Sequence, residues 1–469
     1  MCMPFKIDHL KFSSTWLFGL YLVSRLLIGL WALQDPETRM VNGDSALYEQ
    51  YALSMLETGE YLAPGYGSAD TDPMADMIRP PGYPLLIAAV YSVFGSGFWG
   101  KVGLLLLNLA GGVALWIGVG RMGTGASLMH PYNAPANAPA LVLIFDLGLL
   151  LVSKEILTEM VFAPLMVWMV VGIRGGRMDT GASLMHPFNA PVTTHPFNAP
   201  FLAPSVFLGL ATLLKPITFY LPWVMIPVLR YLGWKWSRIA GFVLIAAGIP
   251  FLWQARNVAT HGTFAYTSIA AENLMTGHAA IVLSAAEGLT HAAAIDSVRA
   301  KYALLASPED DFNTMSDKKS AVAKEILLDH PVIFITQMAK GVAFTLFDPG
   351  REIWVRTFGA SASDTGGLLQ TMAKDGLVAT AWSLAKAYPF LVLYVLFLGV
   401  VYVFAVRGFV RLWQEDRKLF VLLTVLIAYF LVLGGPLGYA RFRVYVLPLM
   451  LCAMWEVRGA KREVRSEDP

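Results

Sequence analysis

The residues best equipped for chemistry in this chain are carboxylates and arginines set in short polar stretches between long apolar runs. Asp44 opens one of them, NGDSALYEQYALSMLETGEYL (residues 42–62), with Tyr48 one helical turn behind it. A carboxylate there can take a proton from a substrate held at a surface, or it can cap a short amphipathic helix that ends at Gly59. Further on, MIRPPGYPLLIAAVYSVFG (residues 77–95) puts Arg79 before a Pro-Pro-Gly turn, which forces an extended approach to the next helix and fixes where the arginine points. Its rigid charged fork suits a phosphate, and it equally suits anchoring among lipid headgroups. In SKEILTEM, Glu155 and Glu159 stand one helical turn apart, so both can face one cavity. Arg256 leaves an apolar run in residues 251–280, and Arg441 and Arg443 open the last one in YARFRVYVLPL.

Long apolar helices must position these groups. The chain has 469 residues, of which 56% are hydrophobic and 14% charged, with a mean hydropathy of +0.56. Soluble domains carry roughly 25% charge, so the composition describes an all-α polytopic membrane protein. Its first run, WLFGLYLVSRLLIGLWAL, contains Arg25 and lacks a small-residue cleavage site, so it reads as a retained span. Only Cys2 and Cys452 are present, which disfavours a disulfide framework, a thiolate metal site and redox chemistry. A formal charge of +2 gives no indication of nucleic acid.

Lys and Arg clusters mark the cytoplasmic loops. Placing Lys6 and Lys11, Arg121, Arg174 and Arg177, Arg230 to Arg238, Arg407 to Lys418 and Arg458 to Arg465 inside leaves spans at 15–33, 101–120, 140–153, 160–173, 201–215, 217–232, 238–253, 385–406, 419–433 and 441–457. The runs 82–97 and 331–347 are interfacial or re-entrant helices, or two further spans, so the expectation is about 10 to 12 transmembrane helices with juxtamembrane helices on the external face. Residues 34–100 then form a first external loop, 254–384 a large external loop or lid, and 385–469 the C-terminal spans. Arg79, Arg256, Arg441 and Arg443 all fall outside, against the positive-inside trend, and an anionic group held at that surface accounts for them. The near-copies RMGTGASLMHPYNAPANAP (121–139) and RMDTGASLMHPFNAPVTTHPFNAP (177–200) hold His130, His186 and His195. Their Pro, Asn, Gly and Ala describe cytoplasmic insertions, and no chemistry is expected of them. Asp70, Asp72 and Asp76 in SADTDPMAD leave a divalent cation possible without a full calcium-loop pattern.

The order of these features resembles the membrane glycosyltransferases of the GT-C superfamily, the group that includes protein O-mannosyltransferases and lipid A aminoarabinose transferases. The resemblance runs through Asp44 in the first external loop, RPPGYP at 79–84, KEILTEM before a span, GLATLLKPI at 209–217, WQARN followed by Gly-Thr-Phe, and the closing YARFRVYVLPL. It implies an inverting enzyme that moves a sugar from a polyprenyl phosphate to a glycan, lipid or protein acceptor at the outer face; the closing RSEDP carries no eukaryotic retention signal, so a bacterial inner membrane is expected. The resemblance makes Asp44 the general base. Arg79, Arg441 and Arg443 are the candidates for the donor phosphate, and Tyr48 is a candidate for binding the substrate. Glu159 best matches the family's second acidic position, with Glu155 its competitor, while Arg256, Asn273 and His278 could reach the substrate. Many members carry paired acids where this chain has Asp44 and Ser45. The rival reading is a secondary transporter or a lipid or oligosaccharide flippase, which would show functional repeats and broken helices at the midplane.

Overall fold

The computed structural model describes residues 14–41, 43–62, 75–123, 137–178, 201–350 and 388–455, with scattered residues between 353 and 386. Among them every regular element is helical. The first are α1 (Ser14–Ala32), α2 (Pro36–Arg39), α3 (Asp44–Glu57), α4 (Gly82–Phe94) and α5 (Phe98–Gly123). Then come α6 (Asn137–Phe145), α7 (Leu147–Val152), α8 (Glu159–Met178), α9 (Leu202–Leu214), α10 (Leu221–Tyr231) and α11 (Trp236–His261). A more polar group follows: α12 (Ile269–Glu272), a π-helical turn (Asn273–Ala279), α13 (Ala280–Glu287), α14 (His291–Ala303), α15 (Phe312–Asp329) and α16 (Pro331–Phe347). The chain closes with α17 (Pro389–Glu415), α18 (Arg417–Gly434) and α19 (Arg443–Trp455).

Among the described residues five helices are long and apolar enough to cross a membrane alone, namely α1, α5, α11, α17 and α18. A sixth arises if the segments 269–287 and 291–303, which meet at 113°, form one broken span. Of the other expected crossings, 160–173 lies within the 20-residue α8, which has Pro164 inside it, and others are built from shorter pieces. α9 has 13 residues and α10 has 11, less than ~20 Å of helix against a hydrocarbon layer of ~30 Å. Pro216 separates these two, and the expected 140–153 span divides at Asp146.

The break at Asp146 explains two charges in apolar surroundings. Ending α6 leaves carbonyls without helical partners, and starting α7 leaves N–H groups without them. Arg25 of α1 donates to the carbonyls of Leu143 (2.6 Å) and Ile144 (3.0 Å). Asp146 accepts the Leu149 N–H at 2.8 Å. An arginine in the first apolar run and an aspartate in the third are thus two halves of one repair.

α9 packs between α8 and α11, α5 lies against α8, and α19 touches α5, α8, α17 and α18. The α5–α8 approach depends on Gly111, where an added Cβ would lie 1.9 Å from the Met160 carbonyl; small residues at such crossings let apolar helices gain van der Waals contact. Phe162, Phe430 and Tyr445 fill the centre with edge-on rings. Leu244, Leu252, Leu393 and Leu396 are exposed on the outside, the composition that lipid contact calls for. Residues 275–326 build a separate small core from Met275, Leu283, Val298, Val322 and Ile326.

The bundle has two chemically distinct ends. Arg174, near the end of α8, donates to the Met122 carbonyl near the end of α5. Lys418, at the start of α18, reaches the Leu232 carbonyl in the α10–α11 turn at 3.4 Å. Arg230, Lys235 and Arg238 flank that same turn, so the basic loops gather where α8 ends and α18 begins. The start of α8, the end of α9 and the turn after α18 lie at the opposite end. Glu159, Lys215 and Arg441 belong to those three points. The repeat segments fall almost wholly outside the described residues, in 124–136 and 179–200.

Candidate active site

Asp44 does not cap α3. Gly43 occupies the cap, with φ +49°, and Asp44 is the first helical residue. Its carboxylate turns to two guanidinium groups: Oδ1 lies 2.6 Å from Arg79 Nη2 and Oδ2 lies 3.0 Å from Arg441 Nη1. The capping alternative therefore gives way to an ion-pair cluster.

Each arginine is held from behind. Tyr61 donates its hydroxyl to the carbonyl of Arg79 at 3.0 Å, which secures the Pro-Pro turn, and Tyr61 itself stacks on Tyr51 with ring centroids 4.2 Å apart. The Arg79 guanidinium lies 5.7 Å from the centre of the Tyr48 ring. Arg441 sits in the 3-10 turn Ala440–Phe442 that leads into α19, and its Nε donates to Glu159 Oε1. The same oxygen accepts Lys215 Nζ at 3.0 Å and the Tyr445 hydroxyl at 3.2 Å.

The two acids have different surroundings. Glu159 is wholly buried, whereas the Asp44 side chain keeps 28% of its exposure. A buried carboxylate held by three donors is suited to fixing Arg441 and Lys215, and the accessible one is suited to meeting a reactant. Burial alone would raise the Asp44 carboxyl above its ordinary value; the positive charges of Arg79, Arg441 and Lys215 together outweigh this and hold it below. Three cations face two carboxylates, which leaves one positive charge in excess.

A second buried ion pair fixes α3. Glu49 accepts from Lys101 of α5 and from the hydroxyl of Tyr91 of α4. Lys101 also lies 3.5 Å from Glu37. Glu49 is tied to α4 and α5 while Asp44, five positions earlier on the helix, meets Arg79 and Arg441.

Other expected residues lie elsewhere. Arg443 does not join Arg79 and Arg441. It is fully buried and donates to the carbonyls of Leu346 (3.1 Å) and Asp348 (2.8 Å) and to the Tyr394 hydroxyl (3.0 Å), with Asp146 at 3.7 Å. Two positions along a helix turn side chains by roughly 200°, so Arg441 and Arg443 part company. Glu155 is buried 3.4 Å from Lys154, which donates to the Arg39 carbonyl at 2.6 Å. Arg256 pairs with Asp76 and lies over Trp253, 4.9 Å from its ring centre. Asp76 also meets His261 at 2.8 Å. Asn273 is exposed, and His278 rests on Gly435, where a Cβ would meet its ring at 2.6 Å. Asp70 and Asp72 lie outside the described residues, and among the described residues no group of three or more His, Cys, Asp or Glu could hold a metal.

Lys215 and Tyr445 were not singled out from the sequence. Their signal was present: Lys215 ends an apolar run immediately before Pro216, and a lysine at such a depth is expensive unless paired.

No family model matches the chain, and no curated protein matches it. Among solved structures it is similar to ArnT from Cupriavidus metallidurans in the apo state, at 15% identity over 94% of this chain and 76% of that one, with a TM-score of 0.38. The same protein bound to undecaprenyl phosphate is matched at 15% identity over 94% and 77% of the two chains, with a TM-score of 0.34. The apo oligosaccharyltransferase of Archaeoglobus fulgidus is matched at 12% identity and a TM-score of 0.48, covering 94% of this chain and 50% of that one, so the chain spans half its length. These are remote likenesses, and the chemistry is read from Asp44, Glu159, Arg79, Arg441 and Lys215 themselves.

Proposed function

We propose that the protein is an inverting glycosyltransferase that moves a sugar from a polyprenyl phosphate to a lipid, glycan or protein acceptor at the outer face of the membrane. The observation that carries this reading is the accessible Asp44 carboxylate between Arg79 and Arg441, in a cluster with one positive charge in excess. Such a cluster suits a reaction in which a hydroxyl loses a proton and a phosphate leaves. The acceptor oxygen attacks the anomeric carbon from the face opposite the phosphate. The bond from that carbon to the phosphate oxygen breaks, the acceptor proton passes to Asp44, and the polyprenyl phosphate departs with the bonding pair. Arg79 and Arg441 stabilise the charge that grows on it. Glu159 holds Arg441 and Lys215 in place.

The two ends of the bundle support this sidedness. The positive-inside rule favours the cytoplasmic side for the basic turns around Arg174, Arg230 to Arg238 and Lys418. The Asp44 cluster lies at the other end, which agrees with an outward-facing site. Part of the reading comes from the resemblance of RPPGYP, GLATLLKPI and YARFRVYVLPL to their counterparts in the GT-C superfamily.

The test is incubation of the purified protein, in lipid nanodiscs, with a radiolabelled polyprenyl-phosphate sugar. Hydrolysis or transfer that falls by about 10²-fold or more in Asp44→Asn is expected for loss of a general base. Tight binding without turnover would favour a transporter or flippase. Near-wild-type transfer by the variant would remove Asp44 from the mechanism.

A further inference from the structure

Both oxygens of Asp44 are occupied by the groups proposed to receive the donor. Oδ1 faces Arg79 at 2.6 Å and Oδ2 faces Arg441 at 3.0 Å. A carboxylate so engaged is a poor proton acceptor, because protonation would forfeit two charge-assisted hydrogen bonds. Lys215 adds a further positive charge, which opposes protonation. Building on the proposed function, we infer that Asp44 is masked in the resting protein and is released as a base by the donor phosphate, which displaces it from Arg79 and Arg441.

The geometry fits a competition. The donor is a phosphodiester, whose two non-bridging oxygens match a guanidinium fork as a carboxylate does, and the polyprenyl phosphate left after transfer is a monoester with more charge. Arg441 remains anchored through Nε to Glu159, so it can exchange the partner of Nη1 without moving its base. Arg79 is held by its backbone carbonyl to Tyr61 and can likewise swap one anion for another. Once the phosphate has taken the guanidinium groups, Asp44 loses the two hydrogen-bonded contacts that suppress its basicity and can accept a proton. After transfer, Asp44 sheds the acceptor proton to water, recovers its charge and competes for the same two arginines, which favours departure of the lipid phosphate. The base is thus also the displacing group for the product, and the donor must bind before the acceptor is activated.

The experiment measures binding of a polyprenyl phosphate, without sugar, to the full chain in nanodiscs by intrinsic tryptophan fluorescence. Wild type, Asp44→Asn, Arg79→Gln and the double variant are compared, with Arg441 untouched so that Glu159 keeps its partner. Displacement predicts that Asp44→Asn binds about tenfold more tightly than wild type, since one competing charge-assisted contact is removed. In the Arg79→Gln background the same change should gain only about threefold, because one of the two contested contacts is already gone. Equal or weaker binding by Asp44→Asn would overturn the inference. So would a full tenfold gain in the Arg79→Gln background, which would reveal simple charge repulsion. These failures leave the proposed function standing. If the wild-type chain binds no polyprenyl phosphate, the proposed function falls and the inference with it.

Discussion

Glu159→Gln tests whether the buried acid is the keystone of the cluster. In the native protein its Oε1 receives Arg441 Nε, Lys215 Nζ at 3.0 Å and the Tyr445 hydroxyl at 3.2 Å, with no exposure to solvent. The glutamine keeps the shape and removes the charge. Two buried cations then face a neutral amide, the situation in which breaking a buried ion pair costs about 3–5 kcal/mol. Lys215→Met creates the opposite imbalance and should also destabilise, but by less, because Arg441 still pairs with Glu159. The double variant removes the unpaired lysine from Glu159→Gln, so it should recover part of the single-mutant loss, with a coupling of about 1–3 kcal/mol. Tryptophan fluorescence during chemical unfolding of the purified protein in mixed micelles gives the four values needed for the cycle. Strictly additive effects would mean that Glu159 and Lys215 do not act on one another. An unperturbed Glu159→Gln protein would refute the keystone argument entirely.

Arg443→Met should also destabilise by about 3–5 kcal/mol, because Asp146 loses a buried partner, and Asp146→Asn should return part of that loss in the same unfolding assay. The pairs of Asp44 should make stability depend on acid. Its carboxyl is held lower in the folded than in the unfolded protein, so the contribution is fully present above the unfolded value of about 3.9 and disappears as pH falls through the lower folded one. The difference in unfolding free energy between wild type and Asp44→Asn should therefore shrink only below about pH 4, and a difference that fades near neutrality would contradict this. Cysteines placed at Ser127 and Ser183, after removal of Cys2 and Cys452, should resist an impermeant thiol reagent outside intact cells. Labelling at either would reverse the proposed sidedness.

Much of the site could be read along the chain because membrane-depth charges are few. Asp44, Arg79, Glu159 and Arg441 each stand at the junction of a polar stretch with an apolar run, and the structure brings all four into contact. Position along the chain could not reveal direction, however. Arg443 belongs to the same quoted motif as Arg441 and turns to carbonyls of the α16 end instead, a consequence of helical rotation that only the tertiary packing makes visible. Glu155 and Glu159, equivalent by spacing, separate because the chain turns before α8 begins at Glu159. Lys215 escaped notice because a single lysine in GLATLLKPI carries no partner in its own neighbourhood; its partner is 56 residues away. The helical class was legible in composition, whereas the lengths of α9 and α10 depended on the break at Pro216 and those of α6 and α7 on the break at Asp146.

The contact between α16 and the turn after α18 restricts where such a protein can vary. A Cβ at Gly341 would lie 2.0 Å from the Gly435 carbonyl oxygen, and one at Gly438 would lie 2.1 Å from the Gly341 carbonyl oxygen. Backbone meets backbone there, with no flexible side chain to absorb a change. Arg441 follows Gly438 by three residues, so any side chain added at this joint would displace the arginine along with the turn. Sequence change is therefore easier to accommodate on α14 and α15, which pack into the small core of residues 275–326, than at Gly341 on the buried face of α16. The joint divides the chain into a portion free to diversify and a portion whose geometry is locked to the charge cluster.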